Sequence, residues 1–205
     1  GWTIEQIKTL ARRHHKTIGI GWVKKTEPLC ENHYSIVTPD GGVAMDFAKI
    51  HPFSYGEEHE HFQGGTTLCT GTLGEFWAGL GICYDLRFPE QFRAMVPEAE
   101  IFIVPANWPE SRVSHWKALL AARAIENQCY VAGVNCCGDM DGRYYSGDSG
   151  LYAPDGSLLV PTKEIRLTDA LCKEEKLLVY DIQNDVAKIR DAFPVLQDRK
   201  EMKCS

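Results

Sequence analysis

Apolar residues change period several times along the chain, and each change predicts an element. Over residues 3–14, Ile4, Ile7, Leu10 and Ala11 recur every three or four positions, which predicts a helix with Thr3 as its cap. From 17 to 25 the pattern alternates as a strand does. Residues 33–50 read as two strands about a Pro39-Asp40-Gly41-Gly42 turn, a hairpin. A polar stretch rich in Glu, His and Gly follows at 54–67. Residues 75–86 alternate again, with Phe76, Ala78, Leu80 and Ile82 on one face and Trp77, Gly79, Gly81 and Cys83 on the other. The two glycines leave room on the face of Cys83, of the kind that a ligand or a second backbone fills.

A short helix is expected after Pro89, then an apolar strand over 100–107. Residues 114–128 form a strong helix pattern, with Trp116, Leu119, Leu120 and Ala124 along one side. A strand at 129–136, a second hairpin at 149–161 with a Pro-Asp-Gly turn, and a last strand at 175–182 complete the pattern, before a short helix and a charged tail. Strands alternating with helices in the middle, with hairpins at both ends, predict a layered α/β domain with a mixed sheet. Three strands end in polar chemistry, at Cys83-Tyr84-Asp85, Asn107-Trp108 and Asn135-Cys136. Ligand sites in α/β sheets gather at the carboxyl ends of strands.

Composition narrows the classes. The 205 residues are enough for one domain, taken as 1–205, and their net charge of −6 argues against a nucleic-acid or anionic-membrane surface. No apolar run is long enough to span a membrane, and no signal-peptide pattern is present. The eight cysteines, at 30, 69, 83, 129, 136, 137, 172 and 204, form no CxxC pair, which favours reduced thiols and a cytoplasmic location. The chain starts at Gly1 without an initiator Met and runs directly into a helix pattern, so a fragment of a longer protein is expected.

Cys83 stands where an apolar run turns polar, as a buried core cysteine or as a nucleophile at a strand end. A nucleophile needs its thiolate stabilised, a proton shuttle and donors for an oxyanion. Asp85 and Arg87 read as an ion pair that fixes the turn. Lys49 ends a strand in "DFAKIHPF"; spacing and composition alone favour a surface lysine, although a cation there would lower a thiol pKa. Three readings stand for "EEHEH" at 57–61: a metal site, for which no second half with ligand spacing appears; a histidine partner for Cys83; and a solvated loop in which one carboxylate has a task. Asn135 and the adjacent Cys136 and Cys137 read as structural. Arg123 and Glu126 interrupt the apolar side of their helix and are expected to pair with neighbouring elements.

These segments resemble a known family. "GLGICYDLRFPE" (79–90) resembles the nucleophile motif of the carbon–nitrogen hydrolases, the nitrilase superfamily, and "FAKIHPF" is similar to that family's lysine motif. Residues 106–135 look like the omega-amidase branch, especially its bacterial type, and 144–159 resemble the family's late hairpin. The likeness runs from the first helix to about residue 197. It implies an α-β-β-α sandwich with mixed sheets and a Glu-Lys-Cys triad that needs no metal or organic cofactor. By position Cys83 is the nucleophile, Lys49 the cation at the oxyanion, and Glu58 the additional glutamate that orients Lys49 or the substrate; the N–H of Tyr84 completes the oxyanion hole. Pro52 departs from the apolar residue frequent after the lysine-motif histidine.

One departure matters more. The family's general-base glutamate follows its second strand, ahead of the first helix seen here. Glu90, Glu98 and Glu110 follow prolines but come too late in the chain. The opening strand–helix–strand is therefore expected to be missing, through truncation, and the 205 residues alone are expected to be nearly inactive. The branch resemblance implies cleavage of the terminal amide of a short 2-oxo dicarboxylic acid monoamide through a cysteine thioester, with ammonia released. Arg112 is a candidate for the substrate carboxylate, Asn107 for a hydrogen bond and Trp108 for an apolar wall. The family also implies a homodimer. Two alternatives stand beside this reading: a hydrolase of nitriles or carbamoyl groups, and a non-catalytic binding module on the same fold.

Overall fold

The computed structural model describes residues 1–166 and 175–200. Helix α1 (Trp2–His14) precedes a three-stranded antiparallel sheet of β1 (Ile18–Lys24), β2 (Glu31–Val37) and β3 (Val43–Ala48), in that order. A second sheet is built from β4 (Thr70–Leu73), β5 (Phe76–Leu80), β6 (Ile101–Ala106), β7 (Tyr130–Asn135) and β10 (Gly150–Tyr152), in the spatial order β10-β7-β6-β5-β4. Its central strands β5, β6 and β7 are parallel, and the two outer pairings are antiparallel. Helices α2 (Pro89–Arg93) and α3 (Val113–Asn127) make the crossovers. Two small ribbons, β8 (Cys137–Met140) with β9 (Arg143–Ser146) and β11 (Lys163–Arg166) with β12 (Lys176–Val179), lie outside the sheets, and α4 (Val186–Ala192) follows.

Alternation along the strands assigns the layers. Tyr34, Ile36, Met45 and Phe47 from the small sheet pack with Ala78, Leu80, Ile82 and Ile101 from the large one, so the two sheets face each other. The neighbouring residues Phe102 and Val104 point the other way, into a cluster with Phe92, Trp116, Leu120 and Ala124 from α2 and α3. On the far side of the small sheet, Ile4 and Ala11 of α1 cover Val37. The order is helix, sheet, sheet, helices: the expected α-β-β-α sandwich with one mixed sheet.

Several boundaries differ from the sequence expectation. Thr3 lies inside α1, and Gly1 occupies the cap position. The run 75–86 is strand only to Leu80; Cys83–Arg87 is a tight 3-10 turn, so Cys83 sits beyond the strand rather than on its face. The room beside the glycines is taken by protein. A Cβ on Gly79 would lie 2.6 Å from Phe102, and one on Gly81 would lie 2.9 Å from Phe92. In the second hairpin the return arm makes a single bridge, Leu158 to Tyr152. Strands β4, β8, β9 and β11 were not expected, because each has four residues and no apolar face long enough to show a period. Cys172 and Cys204 lie outside the described residues; the six described cysteines are free thiols.

Gly79→Ala is expected to destabilise the fold by about 1–3 kcal/mol, because the Phe102 ring is held in a packed core and has no room to retreat. A chemical-denaturation midpoint measures this; an unchanged midpoint would show that the ring can move aside.

Candidate active site

Because β5, β6 and β7 are parallel, their carboxyl ends meet at one edge of the sheet. Cys83 leaves β5 there in a left-handed backbone conformation, φ +49°, a strained geometry for a residue with a side chain. Asp85 holds the turn. It is fully buried; one carboxylate oxygen accepts the Ile82 N–H at 2.9 Å. The other accepts the His51 N–H at 2.9 Å and lies 2.8 Å from His51 Nδ1. The imidazole stacks on Phe88, ring centres 3.7 Å apart. The ion pair expected between Asp85 and Arg87 is therefore absent. Arg87 instead lies over the Trp108 ring at 4.9 Å and 3.2 Å from His115 Nδ1.

By gripping His51, Asp85 brings the end of β3 to the turn after β5. Lys49 arrives with it. Lys49 is not the surface lysine that composition favoured: it is 3% exposed. Its ammonium donates to Glu58 Oε2, which also accepts the Phe53 N–H at 2.7 Å, while Glu58 Oε1 accepts from Asn32 Nδ2 at 3.1 Å. Burial pushes the Glu58 carboxyl up, but the hydrogen bond and charge of Lys49, with the Phe53 and Asn32 donors, outweigh it and hold the group below its ordinary value.

Within "EEHEH", Glu58 alone turns inward. Glu57, His59, Glu60 and His61 are exposed, so neither histidine partners Cys83. Among the described residues no group of three or more His, Cys, Asp or Glu is arranged to hold a metal.

Cys83 is half-buried, with Sγ 3.9 Å from the Asn107 carbonyl oxygen. Burial pushes its thiol up, and Lys49 and the Asn107 contact pull it down by less. The resting thiol is therefore neutral near pH 7, and it needs a base before it can attack. Among the described residues no backbone acceptor pairs with the Tyr84 N–H, the next amide along the turn.

The remaining candidates divide. Asn107 is exposed and offers its carbonyl to the thiol, not its amide. Trp108, expected as an apolar wall, is 4% exposed and packs in the core 5.5 Å from Trp116. Asn135 holds it there by accepting the Trp108 N–H at 2.7 Å and donating to its carbonyl at 2.9 Å, the structural task expected of that residue. Arg112 lies over Phe53 and Tyr55, each ring centre 5.6 Å from its guanidinium carbon. Arg123 bonds Glu126 on its own helix and the Leu86 carbonyl, tying α3 to the Cys83 turn. Sequence reasoning missed His51, Phe53, Tyr55 and Asn32. The first two lie within the quoted lysine motif and were readable as part of it. Asn32 and Tyr55 carry no such signal.

A layered sandwich with a cysteine on a strained turn, beside a buried lysine–carboxylate pair, defines a class of hydrolase. The family model for carbon–nitrogen hydrolases matches residues 1–191. The chain is 32% identical over 201 residues to a 2-oxoglutaramate amidase of Bacillus subtilis, spanning 96% of this chain and 74% of that one. It is 37% identical over 186 residues to omega-amidase YafV of Escherichia coli K12, spanning 87% and 67%. Among solved structures, XC1258 of Xanthomonas campestris, a CN-hydrolase superfamily protein with an arsenic adduct in its active site, superposes with a TM-score of 0.84 at 31% identity, over 100% of this chain and 77% of that one. The chain belongs to the carbon–nitrogen hydrolase family, and it is an enzyme of that class.

Glu58→Gln leaves the Lys49 ammonium buried without a counter-charge, at a cost of about 3 kcal/mol. The pH dependence has a definite sign. The Glu58 pKa is lower in the folded protein than its ordinary 4.5, so its stabilising contribution is complete above pH 4.5 and is lost as the pH falls through the folded value. Thermal unfolding between pH 7 and pH 3 is expected to show a steeper acid loss for the wild type than for Glu58→Gln; parallel curves would refute the pairing.

Proposed function

We propose that Cys83, Lys49 and Glu58 are catalytic residues of an omega-amidase-type enzyme. Its substrate is the terminal amide of a short 2-oxo dicarboxylic acid monoamide. The observation that carries this reading is the ammonium of Lys49, buried against Glu58 where its charge reaches the Cys83 thiol. The names of the two relatives supply the substrate class.

In this mechanism a base removes the Sγ proton and the thiolate adds to the amide carbon. The carbonyl oxygen takes up the negative charge facing the Lys49 ammonium and the Tyr84 N–H. The C–N bond breaks, the nitrogen receives the proton from the base, and ammonia leaves a thioester on Cys83. Water then attacks the thioester and gives its proton to the base. The C–S bond breaks, the base returns the proton to sulfur, and the carboxylic acid departs. Arg112 faces the substrate carboxylate.

Neither nearby carboxylate suits the role of base. Glu58 is committed to Lys49, and Asp85 to His51 and Ile82. Residues 1–205 alone are accordingly expected to release ammonia about 10² to 10⁴ times more slowly than a site with its base. Ammonia release and intact-protein mass spectrometry after incubation with 2-oxoglutaramate test the reading. A slowly formed acyl adduct that disappears in Cys83→Ala is the expected result. Turnover at about 10 per second, near the median for enzymes, would show that the base is among these residues. No adduct on Cys83 from any amide would favour the non-catalytic binding module.

A further inference from the structure

We infer that Phe53 and Tyr55 are specificity-determining positioning residues: they seat the Arg112 guanidinium as a receptor for the carboxylate of an acyl chain, linked through the Phe53 and Tyr84 rings to the turn that carries Cys83. The inference rests on the proposed amidase reading and names the part of the site that selects an anionic substrate.

Arg112 has an uncommon environment for this chain. The sequence holds 28 acidic residues and a net charge of −6, yet among the described residues no carboxylate lies within ion-pair distance of Arg112. Its charge meets aromatic faces instead, with Phe53 and Tyr55 each 5.6 Å from the guanidinium carbon. Such stacking holds the cation through the ring quadrupole and leaves its N–H edges free to donate. The backbone is fixed as well, because the Arg112 carbonyl accepts the Trp108 indole N–H at 2.8 Å. A planar, fixed guanidinium with unneutralised edges matches a carboxylate in the two-point manner that lysine cannot reproduce.

The seat is built into the catalytic cluster. Phe53 donates its N–H to Glu58, the carboxylate that holds Lys49, and its ring lies 4.8 Å from the ring of Tyr84, the residue after Cys83. One residue thus touches the lysine–glutamate pair, the cysteine turn and the cation seat. Tyr55 closes the outer side of the seat. It is 82% exposed and makes a tilted contact with Phe53 at 5.9 Å. An aromatic ring so exposed contributes little to the core, which makes it a clean site to alter.

The test is equilibrium binding, which needs no turnover. Glutaramate, bearing one carboxylate, and its neutral diamide glutaramide are titrated by calorimetry into Cys83→Ala of this chain and into the same background carrying Tyr55→Ala, Tyr55→Phe or Arg112→Met. Glutaramate is expected to bind about tenfold or more tightly than glutaramide. Arg112→Met is expected to abolish that preference. Tyr55→Ala is expected to reduce it about threefold through weaker binding of glutaramate alone, and Tyr55→Phe to restore it. Equal binding of the two ligands by the parent protein, or failure of glutaramate to bind in the millimolar range, would overturn the inference. So would a Tyr55→Ala variant that keeps the preference or weakens both ligands equally. Failure of the parent reading is seen elsewhere, in the absence of an acyl adduct on an intact Cys83, and does not alter the ratio measured here.

Discussion

One buried carboxylate joins the two halves of the site. Asp85 lies on the turn after β5, in the large sheet, and His51 follows β3, in the small sheet. The three hydrogen bonds that Asp85 accepts from Ile82 and His51 are its compensation for leaving water. They also set the separation of Cys83 and Lys49, which otherwise belong to segments 34 residues apart in sequence, on different sheets. The strain of a left-handed cysteine is tolerable because the Asp85 anchor and the Arg123 contact to Leu86 hold the turn from both sides.

The charges around Cys83 are arranged for a reaction rather than for a resting thiolate. A lone ammonium beside the sulfur would favour ionisation, but Glu58 occupies Lys49 and burial opposes any charge on Cys83. The thiol therefore rests neutral, with a cation held in place for charge that appears only later, on the carbonyl oxygen. Dipoles and charges fixed before the reaction stabilise such an oxyanion without reorganising. Phe53 extends the same logic outward, since its N–H fixes Glu58 and its ring carries Arg112.

Much of this was legible in the chain. The helical period over the first helix and over α3, the alternation in β1, the Pro-Asp-Gly-Gly turn between β2 and β3, and the apolar run of β6 each gave an element close to its observed bounds, because each is a local pattern in consecutive residues. Short ribbons such as β8–β9 bury too little to leave a pattern. Gly79 and Gly81 were read as room for a ligand or a second backbone and proved to be room for the side chains of Phe102 and Phe92. A sequence marks where a side chain is missing, and not what fills the space.

What the sequence determined alone was the layered α/β architecture and, through the segments around Cys83 and Lys49, the family. Periodicity and motif spacing are local properties, written in consecutive residues. What only the tertiary structure decided was partnership. Spacing and composition alone read Lys49 as a surface residue, and only the family resemblance set it beside Glu58 before its burial was seen; Asp85 was matched with Arg87 two positions away and instead took His51; Trp108 went to the core while Tyr55, never singled out, stood over Arg112. Each of these depends on which strand ends the packing of two sheets brings together. That is fixed by the burial of side chains distant in sequence, and no local pattern records it.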